Sequence, residues 1–246
     1  DPAVGLYASF VISIVIALFG GRPAMISAAA GSVALVVAPL VREHGVEYLF
    51  AAGLLAGLFQ ILFGFARLAT LMRYVSNSVR TGFVNALAIL IFAAQLPHIL
   101  NAGTGGYGVI AAGLAVIYLA PRLTARIPAP LICVVLLTAV CSTAGIDVPR
   151  VSDLGALPDG LPAFHIPDVP WGLDLLGIIF APALAIAMVG LLESLMTAGV
   201  VDDQTGTPSD KNAEARGLGL ANVAASLFGG IAGCGMIGQT VSNVKY

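Results

Sequence analysis

The chain has 246 residues, 59% hydrophobic and 10% charged, with a mean hydropathy of +0.98 and a formal net charge of -2. A soluble domain carries about 45–50% apolar and about 25% charged residues, so the composition excludes that class and describes an integral membrane protein. The small net charge, with no long run of Lys or Arg, argues against nucleic-acid binding, and Cys133, Cys141 and Cys234 lack metal-ligand spacing and argue against a disulfide framework.

The apolar residues come in blocks of about 20, the length that crosses a hydrocarbon core of roughly 30 Å as a helix, and no period-2 barrel pattern is present. The architecture expected is a helical bundle. The chain begins Asp1-Pro2-Ala3-Val4, with neither an initiator Met nor the basic start of a signal peptide, and reads as a fragment of a longer transporter-like chain.

Residues 3 to 21 form a first span that ends in Leu18-Phe19-Gly20-Gly21 and is closed by Arg22-Pro23. From Ala24 to Leu40 the chain is again uncharged but opens on small, flexible AMISAAAGS, which predicts an extended piece leading into a half-length helix from about Ala30 to Ser32. Tyr48 to Ala66 is the next span, with Gly53 and Gly57 at the four-residue spacing that lets helices approach closely. RLATLMRYVSNSVR is a basic loop. Residues 81 to 121 lack Asp, Glu, Lys and Arg, and Pro97-His98 with Asn101-Ala-Gly-Thr-Gly-Gly divides them into two spans.

PRLTARIPAP is a second basic loop, and Pro130 to Val140 supports a span ending near Gly145. Residues 145 to 170 carry Asp147, Asp153, Asp159 and Asp168 among many Pro and Gly, an irregular acidic loop facing solvent. A helix over about 172 to 200 follows, then a polar loop (202 to 216) in which Asp202 and Asp203 are expected to be solvated. A span (217 to 228) and a second small-residue break, GGIAGCGMIGQT, complete the reading. With residue 1 outside, Arg22, Arg67, Arg73, Arg80, Arg122, Arg126, Lys211, Arg216 and Lys245 are cytoplasmic and only Arg42 and Arg150 are outside, which satisfies the positive-inside rule.

Two features point to function. Glu193 is the sole charge between Asp174 and Asp202, so its helix places a carboxylate near the middle of a bilayer, where an ionisable group marks a functional site. Gly190, Glu193 and Thr197 share its helical face. The second feature is a repeat: LFGG at 18 to 21 and again at 227 to 230, each ending a span and followed by roughly ten small residues and a helix-compatible run. The charge assignment puts the first copy at the cytoplasmic end and the second at the outer end, the opposite orientation of an inverted repeat.

Half-helix N-termini at such breaks carry unpaired N–H groups and about half a positive charge, and can hold an anion without Lys or Arg. The donors expected are the backbones of Ala30, Gly31 and Ser32 and of Met236, Ile237 and Gly238; the alternative is that these small residues serve close packing alone.

The block from Glu193 onward, with ESLMTA, VVDDQTGT, Asn212-Ala-Glu214, Gly217-Leu-Gly219 and Asn222, closely resembles the signature of the SulP family of sulfate permeases and related anion transporters. GLYASF and ISAAAGSVALV match that family's second and third membrane segments. The resemblance implies an all-α, uracil-transporter-like bundle of two inverted repeats of seven segments with broken half-helices, in which a core domain moves against a gate domain. Residues 1–246 would then be a partial transport domain, about segments two to ten, without the first segment, the last four or the cytoplasmic STAS domain. Core-type segments would be about 3–45 and 172–246, and gate-type segments about 81–145.

The resemblance also implies substrate between the half-helices of segments three and ten, at Ala30, Gly31, Ser32, Met236, Ile237, Gly238 and Gln239, with Glu193 and Thr197 of segment eight as the coupling pair. Bicarbonate and sodium-coupled members resemble one another in having Asp at position 193 and Thr at Ala30 and near Ile237. Without those hydroxyls a sodium site lacks the oxygen ligands of a hard cation, and proton coupling is the expectation, since a carboxylate in a cavity can take up and release a proton.

The function expected is a secondary active transporter of a small anion (dicarboxylate, bicarbonate or sulfate), a proton symporter working by alternating access in the cell (inner) membrane, with no cofactor. The alternatives are an uncoupled anion channel or exchanger, a same-fold nucleobase carrier, and a non-transporting structural membrane protein. An enzyme is not expected, for Glu193 has no paired membrane carboxylate and no HExxH or Ser-His set is present. His44, His98 and His165 share no ligand spacing, so no metal site is expected. Partners are the anion and the lipid bilayer, with a homodimer left open. For single residues, Glu193 reads alternatively as a structural carboxylate, Thr197 as bonded to the carbonyl one turn back, Gln239 as a helix cap, and Asn85 and Gln95 as interhelical hydrogen bonds.

Overall fold

The computed structural model describes residues 2–74, 76–124, 127–146, 148–155, 157–158 and 160–245. In chain order the elements are α1 (Pro2–Phe19), β1 (Ser27–Ala29), α2 (Gly31–His44), α3 (Val46–Phe65), a 3-10 segment at Leu68–Tyr74, α4 (Asn77–Leu100), α5 (Gly103–Leu123), α6 (Ala129–Ala144), a 3-10 turn at Val151–Leu154, α7 (Leu173–Thr205), α8 (Lys211–Leu227), β2 (Gly233–Gly235) and α9 (Ile237–Lys245). Among the described residues, Pro2–Phe19, Val46–Phe65, Thr81–Leu100, Gly103–Leu123 and Leu173–Thr205 are long and apolar enough to cross a membrane.

The chain divides into two compact units, one of residues 1–84 and 155–244 and the other of residues 85–154 with 245–246. The expected core-type segments fall in the first unit, apart from the terminal 245–246. All but the first few residues of the gate-type stretch fall in the second. Within the second unit α5 and α6 meet at Gly113, against Leu137 and Cys133, and the Cys133 thiol lies 3.6 Å from the Gly113 carbonyl.

The first unit is held by two apolar clusters. One joins α2, α3 and α7 through Val33, Val37, Ala52, Ile179 and Ile186; the other joins α1, α7 and α8 through Ile12, Leu195, Leu218 and Ala221. The crossing of α3 and α8 is close because both partners lack a side chain: a Cβ on Gly57 would lie 2.6 Å from the Gly219 carbonyl oxygen, and one on Gly219 2.5 Å from that of Gly57. In a bilayer, where apolar burial alone does not drive helices together, such backbone approach is a main source of association.

Both expected breaks are strands. β1 and β2 pair antiparallel, with Ser27 opposite Gly235, Ala28 opposite Cys234 and Ala29 opposite Gly233. α2 leaves the Ala29 end of this ribbon and α9 leaves the Gly235 end. The two helices therefore depart in opposite directions, and their N-termini face each other across about 7 Å of strand. Pairing satisfies the backbone groups that the non-helical stretch would otherwise strand at membrane depth.

Several expectations need correction. α7 runs to Thr205, past the expected end near 200, and stops where Gly206 adopts φ +67°. Asp202 is consequently helical and paired: the Arg22 guanidinium lies 3.4 Å and the Lys211 ammonium 2.7 Å from its carboxylate. Asp203, also on α7, is exposed as expected. The stretch expected to be a basic loop contains the 3-10 segment Leu68–Tyr74. Pro97 does not end its helix, because it sits in the last turn of α4 where Asn101 N–H still reaches the Pro97 carbonyl at 3.1 Å. Asn85 and Gln95 are exposed and have no interhelical bond among the described residues.

The acidic loop is tied down rather than wholly solvated. Glu47 on α3 accepts the Asp168 N–H at 2.9 Å and meets His165 Nε2 at 2.9 Å, and His165 N–H donates to the Leu227 carbonyl at 2.7 Å. Asp147 and Asp159 lie outside the described residues.

Candidate anion and coupling site

The site is built on the β1–β2 ribbon, along which α7 runs. Gly190 packs against it without a side chain, a Cβ there falling 3.5 Å from the Gly233 carbonyl oxygen and 3.9 Å from Cys234 Cβ. One turn on, Ser194 Oγ accepts the Gly235 N–H at 2.8 Å. Thr197 Oγ lies 2.8 Å from the Glu193 carbonyl and 3.1 Å from that of Gly235. Thr197 thus makes the bond one turn back that is common for membrane Thr and also touches the ribbon.

Glu193 stands between these anchors and is partly exposed. Its Oε2 accepts the Ser32 hydroxyl at 2.5 Å, and Ser32 is the second residue of α2. Cys234, buried in the ribbon, is the other close side-chain neighbour of this pair. The three groups come from α7, α2 and β2, and Ser32 and Glu193 are 161 positions apart in sequence.

The first bond within α2 runs from Ala34 N–H to the Ala30 carbonyl at 3.1 Å, and no side chain caps Ala30. The N–H groups of Gly31, Ser32 and Val33 therefore have no acceptor within their own helix. Ala30 and Gly31 line a cavity of about 520 Å3 beside α2, whereas the Ser32 side chain is buried against Glu193.

At α9 the first bond runs from Thr240 N–H to the Met236 carbonyl at 3.0 Å, and Met236 N–H donates to the Ile26 carbonyl at 2.8 Å. Met236 is thereby committed to the ribbon side of the turn. Ile237, Gly238 and Gln239 are left as first-turn donors, the last two exposed. Thr240, which the sequence reading passed over, is buried and accepts the Ile26 N–H at 3.0 Å.

A second network missed from sequence fixes the far end of the ribbon. Asn222 on α8 accepts the Gly233 N–H at 2.8 Å, and its Nδ2 donates to Gln60 Oε1 on α3 at 2.8 Å and lies 3.2 Å from the Gly233 carbonyl. Gln60 and Asn222 are both fully buried. The available signal was a single amide in each of two apolar or small-residue stretches, Gln60 in 48–66 and Asn222 in 217–228, a pattern that calls for a partner.

At the other end, Arg22 is buried, with its guanidinium against Thr205, Thr207, the Val201 carbonyl and Asp202. Glu214, on the first turn of α8 and outside the helices long and apolar enough to cross a membrane, accepts the Gly21 N–H at 2.8 Å. Burial pushes its carboxyl up to about 7, against the opposing hydrogen bonds from the Gly21 and Arg22 backbone and the Lys211 charge. Both LFGG breaks are thus fastened by polar side chains of α7 or α8.

The model of the sulfate permease family matches residues 1–112 and 108–246. The chain is 52% identical over 245 residues to the putative sulfate transporter YbaR of Bacillus subtilis, covering all of this chain and 51% of that protein. It is 29% identical to the bicarbonate transporter BicA of Synechocystis, over 98% of this chain and 47% of that one. The chain spans about half the length of the curated relatives it matches.

Among solved structures, the transmembrane domain of a cyanobacterial bicarbonate transporter BicA aligns at a TM-score of 0.83 and 29% identity, over 98% of this chain and 69% of that one. A murine solute carrier 26 anion transporter in the inward-facing state shares the fold at a TM-score of 0.76 and 19% identity, over 98% and 48% of the two chains.

Proposed function

We infer that this chain, which belongs to the sulfate permease family, carries the anion and coupling sites of a multi-pass membrane transporter, and that it moves a small anion together with a proton by alternating access. The observation that carries this reading is the partly exposed Glu193 lying beside a ribbon from which two half-helices present their N-termini to each other. The N–H groups supply an anion site without a basic side chain, and the carboxylate supplies a group that gains and loses a proton.

A carboxylate repels an anion, so Glu193 acts beside the substrate as the coupling group. Sodium is the weaker candidate, because Ala30 and Ile237 themselves bring no side-chain oxygen to the half-helix starts. The relatives' names, sulfate transporter and bicarbonate transporter, support a substrate drawn from sulfate, bicarbonate and dicarboxylates. They also support a transporter rather than an enzyme.

The test is uptake of these three anions into proteoliposomes holding the full-length protein, with and without an inward proton gradient. Uptake of at least one anion should be driven by the gradient, and Glu193→Gln should abolish that drive while eluting as a folded protein. Uptake indifferent to the gradient, or a Glu193→Gln protein that still responds to it, overturns proton coupling.

A further inference from the structure

Among the described residues, Ser32 holds the one hydrogen bond that joins the coupling carboxylate to a half-helix start. Its hydroxyl donates to Glu193 Oε2 at 2.5 Å, its side chain is buried, and it belongs to the same first turn whose Gly31, Ser32 and Val33 N–H groups lack helical acceptors. Among the described residues Glu193 has no ion pair. On α7 itself the next charges are Asp174 and Asp202. Of the elements packed against α7, β2 presents only the Cys234 thiol and α2 only Ser32 at this level. The described charged side chains of α2, α3 and α8, with His44, lie near the helix ends: Arg42, Glu43 and His44 at the end of α2, Glu47 in the first turn of α3, and Lys211, Glu214 and Arg216 within the first six residues of α8. An ionised Glu193 is therefore held mainly by the start of α2, the same positive helix end that an incoming anion needs.

We propose that Ser32 is a positioning residue that latches the ionised Glu193 onto the first turn of α2, where the carboxylate acts as a tethered anion and excludes substrate until it is protonated. A proton arriving on Glu193 neutralises the carboxylate and weakens its hold on the hydroxyl. Ser32 is then free to turn its hydroxyl, with the first-turn N–H groups, to the transported anion. Loss of the proton restores the latch and expels the anion. The order is proton before anion. This rests on the proton-coupled reading above and adds to it a binding order and the residue that enforces it.

The test is the pH dependence of the KM for the transported anion, measured in proteoliposomes with the parent protein, Ser32→Ala, Ser32→Thr and Ser32→Cys. If an ionised Glu193 excludes substrate, the parent's KM rises by up to about tenfold per pH unit on the alkaline side of its profile, as linkage of one proton to one anion requires. Ser32→Ala should flatten that rise to below about threefold per unit, and Ser32→Thr, which keeps the hydroxyl, should restore it.

Ser32→Cys preserves volume while offering only a weak donor; it should flatten the profile as well and serves if the Ala variant does not fold. A steep profile retained in both Ser32→Ala and Ser32→Cys overturns the latch while leaving proton coupling standing. A parent whose uptake ignores the proton gradient overturns the coupling reading itself, so the two failures are distinct.

Discussion

Replacing Asn222 with Ala removes the clamp on the Gly233 end of the ribbon. Three contacts go: Gly233 N–H to Oδ1 at 2.8 Å, Nδ2 to Gln60 Oε1 at 2.8 Å and Nδ2 to the Gly233 carbonyl at 3.2 Å. Interhelical polar contacts in membrane proteins contribute about 0.6 to 1.7 kcal/mol each, so their sum is roughly 2 to 5 kcal/mol. Counting orphans instead gives a similar figure. The Gly233 N–H and Gln60 Oε1 lose their partners inside a fully buried region, at about 1 to 3 kcal/mol per group. With about 2 to 4 °C per kcal/mol for a chain of this size, a loss near 3 kcal/mol lowers the apparent midpoint by roughly 6 to 12 °C.

The assay is thermal unfolding of the purified protein in detergent, followed as a double-mutant cycle with Gln60→Ala. Since Gln60 loses its partner in the first variant, the double variant should be more stable than the sum of the singles predicts, by about 0.5 to 3 kcal/mol. An Asn222→Ala midpoint within about 2 °C of the parent, or strictly additive singles, would refute the network as the ribbon's anchor.

Two further outcomes follow from the same packing. Glu214 has a folded-state value of about 7 against an ordinary 4.5, so folding favours its neutral form. Its contribution is complete below pH 4.5 and is lost as pH rises to 7, roughly 3 kcal/mol in all. Glu214→Gln should match the parent's midpoint near pH 4.5 and exceed it at pH 8; equal offsets at both pH values would count against the assignment. At the α3–α8 crossing, Gly57→Ala brings a Cβ to 2.6 Å from the Gly219 carbonyl oxygen and should destabilise by about 1 to 3 kcal/mol. Gly5→Ala, with nothing within 4 Å, should stabilise by about 0.4 to 1 kcal/mol. Thermal midpoints measured side by side read the sign, and the same sign for both would show that the crossing is not close-packed.

Much of the architecture was legible because a bilayer imposes simple rules on a sequence. Apolar runs of about 20 residues had to be helices, since each helix satisfies its own backbone. The two LFGG breaks stood out because their glycines, with Pro23 after the first, disfavour a helix, and Glu193 stood out because a lone carboxylate at that depth demands a use. The far ends of α7 and α8 were harder to read. Asp202 looked solvated because Arg22 is near it only once the chain has turned after α1 at Gly20-Gly21, and Lys211 only once the chain has turned between α7 and α8. Gln60 looked like one amide in an apolar span because Asn222 is 162 residues away.

The sequence by itself determined the membrane class, the positions of the broken helices and the identity of the unpaired carboxylate. These depend on composition and local spacing, which need no knowledge of neighbours. Only the tertiary structure decided which donors remain available and which group Glu193 meets. Antiparallel pairing of Ser27–Ala29 with Gly233–Gly235 sets the half-helix starts opposite each other and commits Met236 N–H to Ile26. The same pairing places Ser32 against a carboxylate 161 positions later in the chain. A hydrogen bond between distant residues depends on the path of the whole backbone, and no local pattern carries that information.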